Sequence, residues 1–256
     1  MLFMARNPKL ALIDAHALIH RAYHALPPMS TREGLPTNAV FGFTTMLLKM
    51  FSTLKPTHVV AAFDVKGKTF RAKEYAEYKA HRKEIDAELA AQFEPVKDVL
   101  RAFSIPVIFK KGFEADDVIG TIVERLNGKM RTVIVTGDMD TLQLVDGDTS
   151  VFTLKRGVTD TILYTPELVR EKYGFGPEHI VDYKGLAGDP SDNIPGVAGV
   201  GQKTAQELIT QFGSVEEIFA GVGKIPEKLR KKLAGKKKEA FLSKKLATIK
   251  RDVPIA

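Results

Sequence analysis

Lys110-Lys111-Gly112-Phe113-Glu114-Ala115-Asp116-Asp117-Val118-Ile119-Gly120 places three carboxylates within four positions. The apolar run Ile105-Pro106-Val107-Ile108-Phe109 precedes it, and Val118, Ile119, Ile122, Val123 and Leu126 follow at helical spacing. The acids therefore fall at a strand-to-helix junction, in the first helical turn. Glu114 and Asp117, three apart, share a helix face, whereas Asp116 points elsewhere. First-turn acids complement the helix dipole by about 0.3–1 kcal/mol each, which accounts for one acid well and for two tolerably. Three crowded like charges also repel and raise one another's pKa unless a cation sits among them. Taken alone, the stretch leaves dipole complementation and metal binding both open.

The same punctuation recurs outward from it. Residues 9–13 read as a short buried strand ended by Asp14, and residues 59–63 as a strand ended by Asp64. Residues 131–136 form a further strand, followed at once by Gly137-Asp138-Met139-Asp140. Residues 151–154 and 161–164 predict a hairpin around Arg156-Gly157. Between them lie helical patterns: one after Asp14 with Leu18, Ile19 and Ala22 inward, and one over 38–54 with Phe41, Thr45, Leu48 and Phe51 on the packing side. Thr165-Pro166-Glu167 opens another, with Thr as cap and Pro in first position. Strands alternating with helices predict an α/β fold, a mostly parallel central sheet flanked by helices. Such sheets bind ligands at the carboxyl ends of their strands. All four strands deliver acid there: Asp14, Asp64, Glu114 with Asp116 and Asp117, and Asp138 with Asp140. Carboxylate-only sites hold hard ions such as Mg²⁺ or Mn²⁺. These acids exceed the needs of one ion, and two ions about 3.5–4 Å apart are the usual device for in-line phosphodiester displacement.

Composition sets the outer limits. The 256 residues are 44% hydrophobic and 27% charged, as in ordinary globular domains. Zero cysteines exclude disulfides, Cys-ligated zinc and thiol catalysis. No apolar run reaches a membrane-spanning length, and residues 1–9 lack the features of a signal peptide, so a cytoplasmic location is expected. Residues 224–251 carry twelve Lys/Arg against two Glu, net +10, and the remainder carries 26 basic and 29 acidic residues, net −3. An acidic body with a basic tail suits a polyanion held beside a cation site.

Three further stretches matter. In 66–99, basic residues (Lys66, Lys68, Arg71, Lys73, Lys79, Arg82, Lys83) interleave with Phe70, Tyr75 and Tyr78. That composition suits single-stranded nucleic acid, cations on phosphates and rings on bases, or else a solvated charged helix with its aromatics inward. His16, His20 and His24 lie four apart, a helical metal spacing, but no HExxH accompanies them and they are read as ordinary polar helix residues. Gly188-Asp189-Pro190-Ser191-Asp192-Asn193-Ile194-Pro195-Gly196-Val197-Ala198-Gly199-Val200-Gly201 is turn-rich and leads into a helix from Gln202 to Phe212, closed by Gly213. Gly196 and Gly201 have Walker A spacing, but Gln202 stands where Lys is required, which argues against a P-loop. The free amides at that helix start can still bind one backbone phosphate.

Taken together, Ile13-Asp14, Ala62-Phe63-Asp64 with Gly67-Lys68-Thr69-Phe70-Arg71, Tyr78-Lys79-Ala80-His81-Arg82, Glu114-Ala115-Asp116-Asp117, Gly137-Asp138-Met139-Asp140 and 188–196 resemble the bacterial 5′-nuclease (5′-3′ exonuclease and flap endonuclease) family. Nearly the whole chain is covered. The resemblance implies a PIN-like core over 1–180 containing a helical arch at 66–99, and a helix–hairpin–helix and basic helical region over 181–256 packed on the core as one unit. It implies nine metal-binding acids: Asp14, Asp64, Glu114 and Asp116 for a first ion, and Asp117, Asp138, Asp140, Asp189 and Asp192 for a second, with K⁺ at the Gly-rich loop. Asp64, Asp116, Lys79 and Arg82 would be catalytic. Arg21, Arg71, Tyr75, Tyr78, Lys79, Arg82, Gly196, Gly199, Gly201, Lys203 and Thr204 would bind DNA. The implied substrate is DNA with a 5′ flap or branched junction, or an RNA–DNA primer, in replication and repair, with a polymerase domain following in the same chain. A metal-dependent ribonuclease of related fold and a non-catalytic junction-binding module are the alternatives.

Overall fold

In the computed structural model, residues 8–82, 84–157 and 160–255 are described. The N-terminal stretch 1–7, read above for a leader, and Lys83 lie outside them. The strands are β1 (Lys9–Asp14), β2 (His58–Ala62), β3 (Val107–Ile108), β4 (Arg131–Val135), β5 (Thr149–Arg156) and β6 (Asp160–Tyr164). They form one sheet in the order β3-β2-β1-β4-β5-β6. The first five are parallel, and β6 returns antiparallel on β5 as the expected hairpin. The chain leaves β1 toward β2 and β3 on one side, then crosses to β4 and β5 on the other. Strand order therefore switches at β1, where a doubly wound sheet opens a crevice.

Helices α1 (Ala15–Ala25), α2 (Asn38–Leu54), α3 (Phe70–Glu74), α4 (Ala87–Ala90), α5 (Phe93–Ala102) and α6 (Ala115–Leu126) belong to the crossovers. Beyond the sheet come α7 (Pro166–Tyr173), α8 (Ile180–Ala187), α9 (Gln202–Phe212), α10 (Val215–Ala220), α11 (Glu227–Leu233) and α12 (Lys237–Ala247). Successive residues of β1 serve opposite faces, as the pleat requires. Ala11 and Ile13 join the core under α1, α2 and α5, whereas Leu10 and Leu12 join the one shared by α6 and the C-terminal helices. No helix among the described residues is long and apolar enough to cross a membrane.

Two expectations change. Helix α2 spans the predicted residues but buries the other side: Ala39, Phe43, Met46, Leu47 and Met50 face inward, while Phe41 and Leu48 are 54% and 53% exposed. The helix is apolar on several sides, so spacing does not choose among them. Gly42 does, because a Cβ there would lie 2.7 Å from the Ala22 Cβ, and only this face lets α2 settle against α1. Among the described residues, the stretch expected as a helical arch holds the short helices α3 and α4 and the first part of α5, and its portion from α3 to Arg82 lies down over the strand ends. Its backbone is tied there by Lys79 N donating to Asp192 O at 2.9 Å and by Asn193 Nδ2 donating to Glu77 O at 2.7 Å.

Candidate metal and phosphate site

Each acid is placed by the element it ends or begins. Asp14 closes β1 and caps α1, accepting from Ala17 N at 3.1 Å and from the Thr136 hydroxyl at 2.7 Å. Asp64, two residues past β2, accepts from Ala115 N at 2.6 Å, at the start of α6. Asp116 lies in the first turn of α6, and Asp138 follows β4 and accepts from Asp140 N at 2.9 Å. These four line one cavity of about 420 Å³ at the switch point of the sheet. None of them forms an ion pair with a Lys or Arg among the described residues.

No direct ion pair compensates this inner group among the described residues. Burial, then the neighbouring Asp64 carboxylate, pushes Asp14 up to about 7. Burial with Asp138, Asp14 and Asp64 nearby raises Asp116 well above the carboxylate range, and burial raises Asp138 as well. Asp116 Oδ1 is buried and has no hydrogen-bond partner among the described residues. A buried, unpartnered anionic oxygen among other carboxylates is a place for a hard cation, so the donor set fits a divalent ion. Among the described residues the acids do not yet close into a three-donor cage.

Four outer acids differ, because each is held by a cation of the chain. Glu114 accepts from Lys79 Nζ at 2.9 Å and from the Tyr78 hydroxyl at 3.1 Å. Asp192 takes Arg82 at 2.6 Å on one oxygen and, on the other, the Tyr78 hydroxyl at 3.1 Å and Lys79 at 3.4 Å. Lys184, from α8, sits between Asp140 and Asp189, 2.5 Å from Asp189 Oδ2. Burial opposes the charge of Asp189, yet the Lys184 ammonium and the Ser191 hydrogen bonds hold its pKa below the usual range. Burial likewise opposes the charge of Lys79, but Glu114 and Asp192 keep it protonated. The loop carrying Asp189 and Asp192 is pinched shut where Gly188 and Gly196 meet: a Cβ on Gly196, at φ 63°, would lie 2.3 Å from Gly188 N.

Asp117 is a correction. It is fully buried, and both its oxygens are spent on Arg71 at 2.7 and 2.8 Å, with Glu114 N and Lys250 N adding a bond each. The face it shares with Glu114 in sequence is used for a capping box instead. Arg71 is corrected with it, since two more of its hydrogens go to the carbonyls of Leu246 and Thr248 and its Nη1 lies 3.6 Å from Glu114. Tyr78, expected to stack on a base, is buried with its hydroxyl between two acids. Gly196 N is taken by the Ser243 hydroxyl at 2.9 Å. Lys79 and Arg82 do not share a helix face, for Lys79 lies in a turn at φ 53°, but both reach Asp192. Tyr75 stays half-buried below them, and Arg21 lines a shallow depression beside Asp138, Asp140 and Lys184. Gly199, Gly201 and Lys203 are exposed at the start of α9, where Thr204 is half-buried.

Lys184 has no role in the sequence reading, and the histidine row reads there as ordinary polar helix residues. The partners of Lys184 lie 44 residues before it and five after it. In the histidine row, the His16 and His20 rings lie 4.9 Å apart, tilted, on the cavity wall, with Phe93 5.0 Å from His16. Burial and the neighbouring imidazoles bring His20 down to about 4, and burial lowers His16 too, so neither supplies positive charge to the inner acids at neutral pH.

Comparison with known proteins bears on this arrangement. Residues 9–174 match the model of the 5′-3′ exonuclease N-terminal resolvase-like domain, and residues 175–256 that of the 5′-3′ exonuclease C-terminal SAM fold. The DNA polymerase I of Bacillus caldotenax is 47% identical over 96% of this chain, and that of Bacillus subtilis 44% over 98%. The chain spans only 28% and 29% of those two polymerases. Among solved structures, the T5 5′-exonuclease with bound zinc superposes with a TM-score of 0.74 at 23% identity, covering 93% of this chain and 89% of that one. Flap endonuclease-1 from Methanococcus jannaschii gives 0.57 at 21%, covering 96% and 79%.

Proposed function

The chain belongs to the 5′-3′ exonuclease family, and on that premise we propose that it is a structure-specific 5′-nuclease. It hydrolyses DNA phosphodiester bonds at 5′ flaps, junctions and 5′ ends by a two-metal-ion mechanism. The observation that carries this reading is the inner group: Asp14, Asp64, Asp116 and Asp138 share one cavity, and none of them pairs with a Lys or Arg among the described residues. Solved relatives are described as bound to divalent metal ions, and one bacteriophage T5 flap endonuclease as bound to DNA and metal ions.

A divalent ion held there, Mg²⁺ or Mn²⁺, supplies Lewis-acid chemistry, neutralising charge on a phosphate and acidifying water. Asp14, Asp64 and Asp116, with Glu114, would hold the first ion, and Asp138, Asp140, Asp189 and Asp192 the second. Lys79 and Arg82 stand at the cavity rim and would exchange their carboxylates for oxygens of the scissile phosphate, where charge develops. The exposed amides of Gly199 and Gly201, with Lys203 and Thr204 at the start of α9, would grip the duplex backbone, and K⁺ at that loop belongs to the same proposal. Residues 1–180 then act as the cutting core and 181–256 as the gripping region. The match to polymerases supports a following polymerase domain, a cytoplasmic place at the nucleoid and, with RNA–DNA primers as substrates, a part in replication and repair.

A 5′-labelled flap duplex, beside matched single strand and RNA, tests this with Mg²⁺ or EDTA. Flap cleavage that EDTA abolishes, leaving 5′-phosphate and 3′-hydroxyl ends, is expected. Preferential cleavage of RNA would point to a ribonuclease, and junction binding without cleavage to a non-catalytic module.

A further inference from the structure

Lys184 holds its acids differently from Lys79 and Arg82. Those two rise from turns of a segment lying over the cavity, whereas Lys184 is rooted in α8, whose last turn closes with Gly188 N donating to Lys184 O at 2.8 Å. Its side chain is 14% exposed, and the ammonium joins two segments that would otherwise repel: Asp140, after β4, and Asp189, on the pinched loop. An ammonium offers three donors in place of the several oxygen ligands a divalent ion draws in. Lys184 takes Asp140 Oδ1 and Asp189 Oδ2, and Ser191 already donates to Asp189 Oδ1, so an ion drawing on both carboxylates meets the ammonium at the pair. With Lys184 present the pair keeps one net negative charge, and with a divalent ion in its place it keeps none.

We propose that Lys184 is the resident counter-cation of the Asp140–Asp189 pair, and that it competes directly with a second divalent ion for that pair. This rests on the metal-dependent reading above. Lys184 keeps the loop in place without metal and weakens the outer ion relative to the inner one. Of the first ion's acids, Asp14, Asp64 and Asp116 have no such competitor among the described residues and only Glu114 meets a lysine, so that ion loads first. Lys184 is thus a positioning residue that sets the order in which two ions load.

The test is Mn²⁺ binding to DNA-free protein, counted by calorimetric titration and by electron paramagnetic resonance. The wild type should bind one ion well before any second. Lys184→Met should take up a second ion at least about tenfold more tightly than the wild type does, because a positive charge in contact with the site is gone. Lys184→Arg, which keeps the charge, should behave as the wild type. Identical isotherms for wild type and Lys184→Met overturn the proposal, as does a second ion gained equally by Lys184→Arg, which would trace the effect to packing. Should circular dichroism show Lys184→Met unfolded, Lys184→Gln is held to the same two outcomes. A wild type that binds no Mn²⁺ at millimolar concentration overturns the metal-dependent reading as well, so the two failures are distinct.

Discussion

The inner and outer acids are built from the same side chain and differ in their company. Asp14, Asp64, Asp116 and Asp138 come from strand ends and helix starts, placed by main-chain geometry and, among the described residues, not ion-paired. Glu114, Asp140, Asp189 and Asp192 are each matched to Lys79, Lys184 or Arg82, drawn from the overlying segment and from α8. The fold therefore settles its outer charges internally and leaves the inner ones for something from solution. A paired acid supports stability, and an unpaired one opposes it until a ligand arrives.

The strongest way to break this contrast uses two adjacent residues. Asp117→Asn leaves Arg71 buried without its carboxylate and should cost about 3–5 kcal/mol in urea unfolding. Asp116→Asn should do the reverse in metal-free protein, raising Tm by about 2–4 °C for each kcal/mol of repulsion removed. Equal destabilisation by both would mean that the inner acids are not strained. Next, Asp64→Asn should slow flap cleavage in Mg²⁺ by at least about a hundredfold with DNA binding largely retained. Near-normal cleavage would remove the inner group from the chemistry.

The outer cations sharpen the comparison at smaller cost. Lys79→Ala should lower the single-turnover rate at saturating enzyme by roughly 10²-fold, with affinity changed less than about tenfold, and Arg82→Ala should follow more weakly. If saturation restores either rate, that residue only binds. The smallest effect concerns the basic tail. With about six phosphates contacted, log K against log salt should slope near −5. Charge reversal at Lys237 and Lys238, exposed on α12, should flatten the slope and leave the saturated rate alone. An unchanged slope would make them ordinary solvated lysines.

The inner acids were legible because each stands at or within a few residues of a strand end or helix start, and those boundaries are written locally. The outer arrangement was not, because ion pairing joins residues far apart in the chain. Arg71 finds Asp117 across 46 positions, so an acid that reads as a ligand proves to be a structural anchor. The side of α2 was hidden for a different reason: its apolar residues surround the helix, and the choice falls to a single glycine approaching α1. The segment over the site has helix-forming composition, yet Asp192 and Glu114 draw its cations into turns.

Arg71 also gives the site a schedule. Its Nε reaches Leu246 O across 175 positions, and the same stretch fixes Gln143 through the carbonyl of Ala247. At about 5–20 residues per second, translation separates Arg71 from those partners by roughly 9–35 s. Until residues 246–250 are made, Arg71 lacks its two carbonyl acceptors and Asp117 lacks its bond from Lys250 N. The start of α6, which carries Asp116 and Asp117, is therefore locked only once α12 has been made.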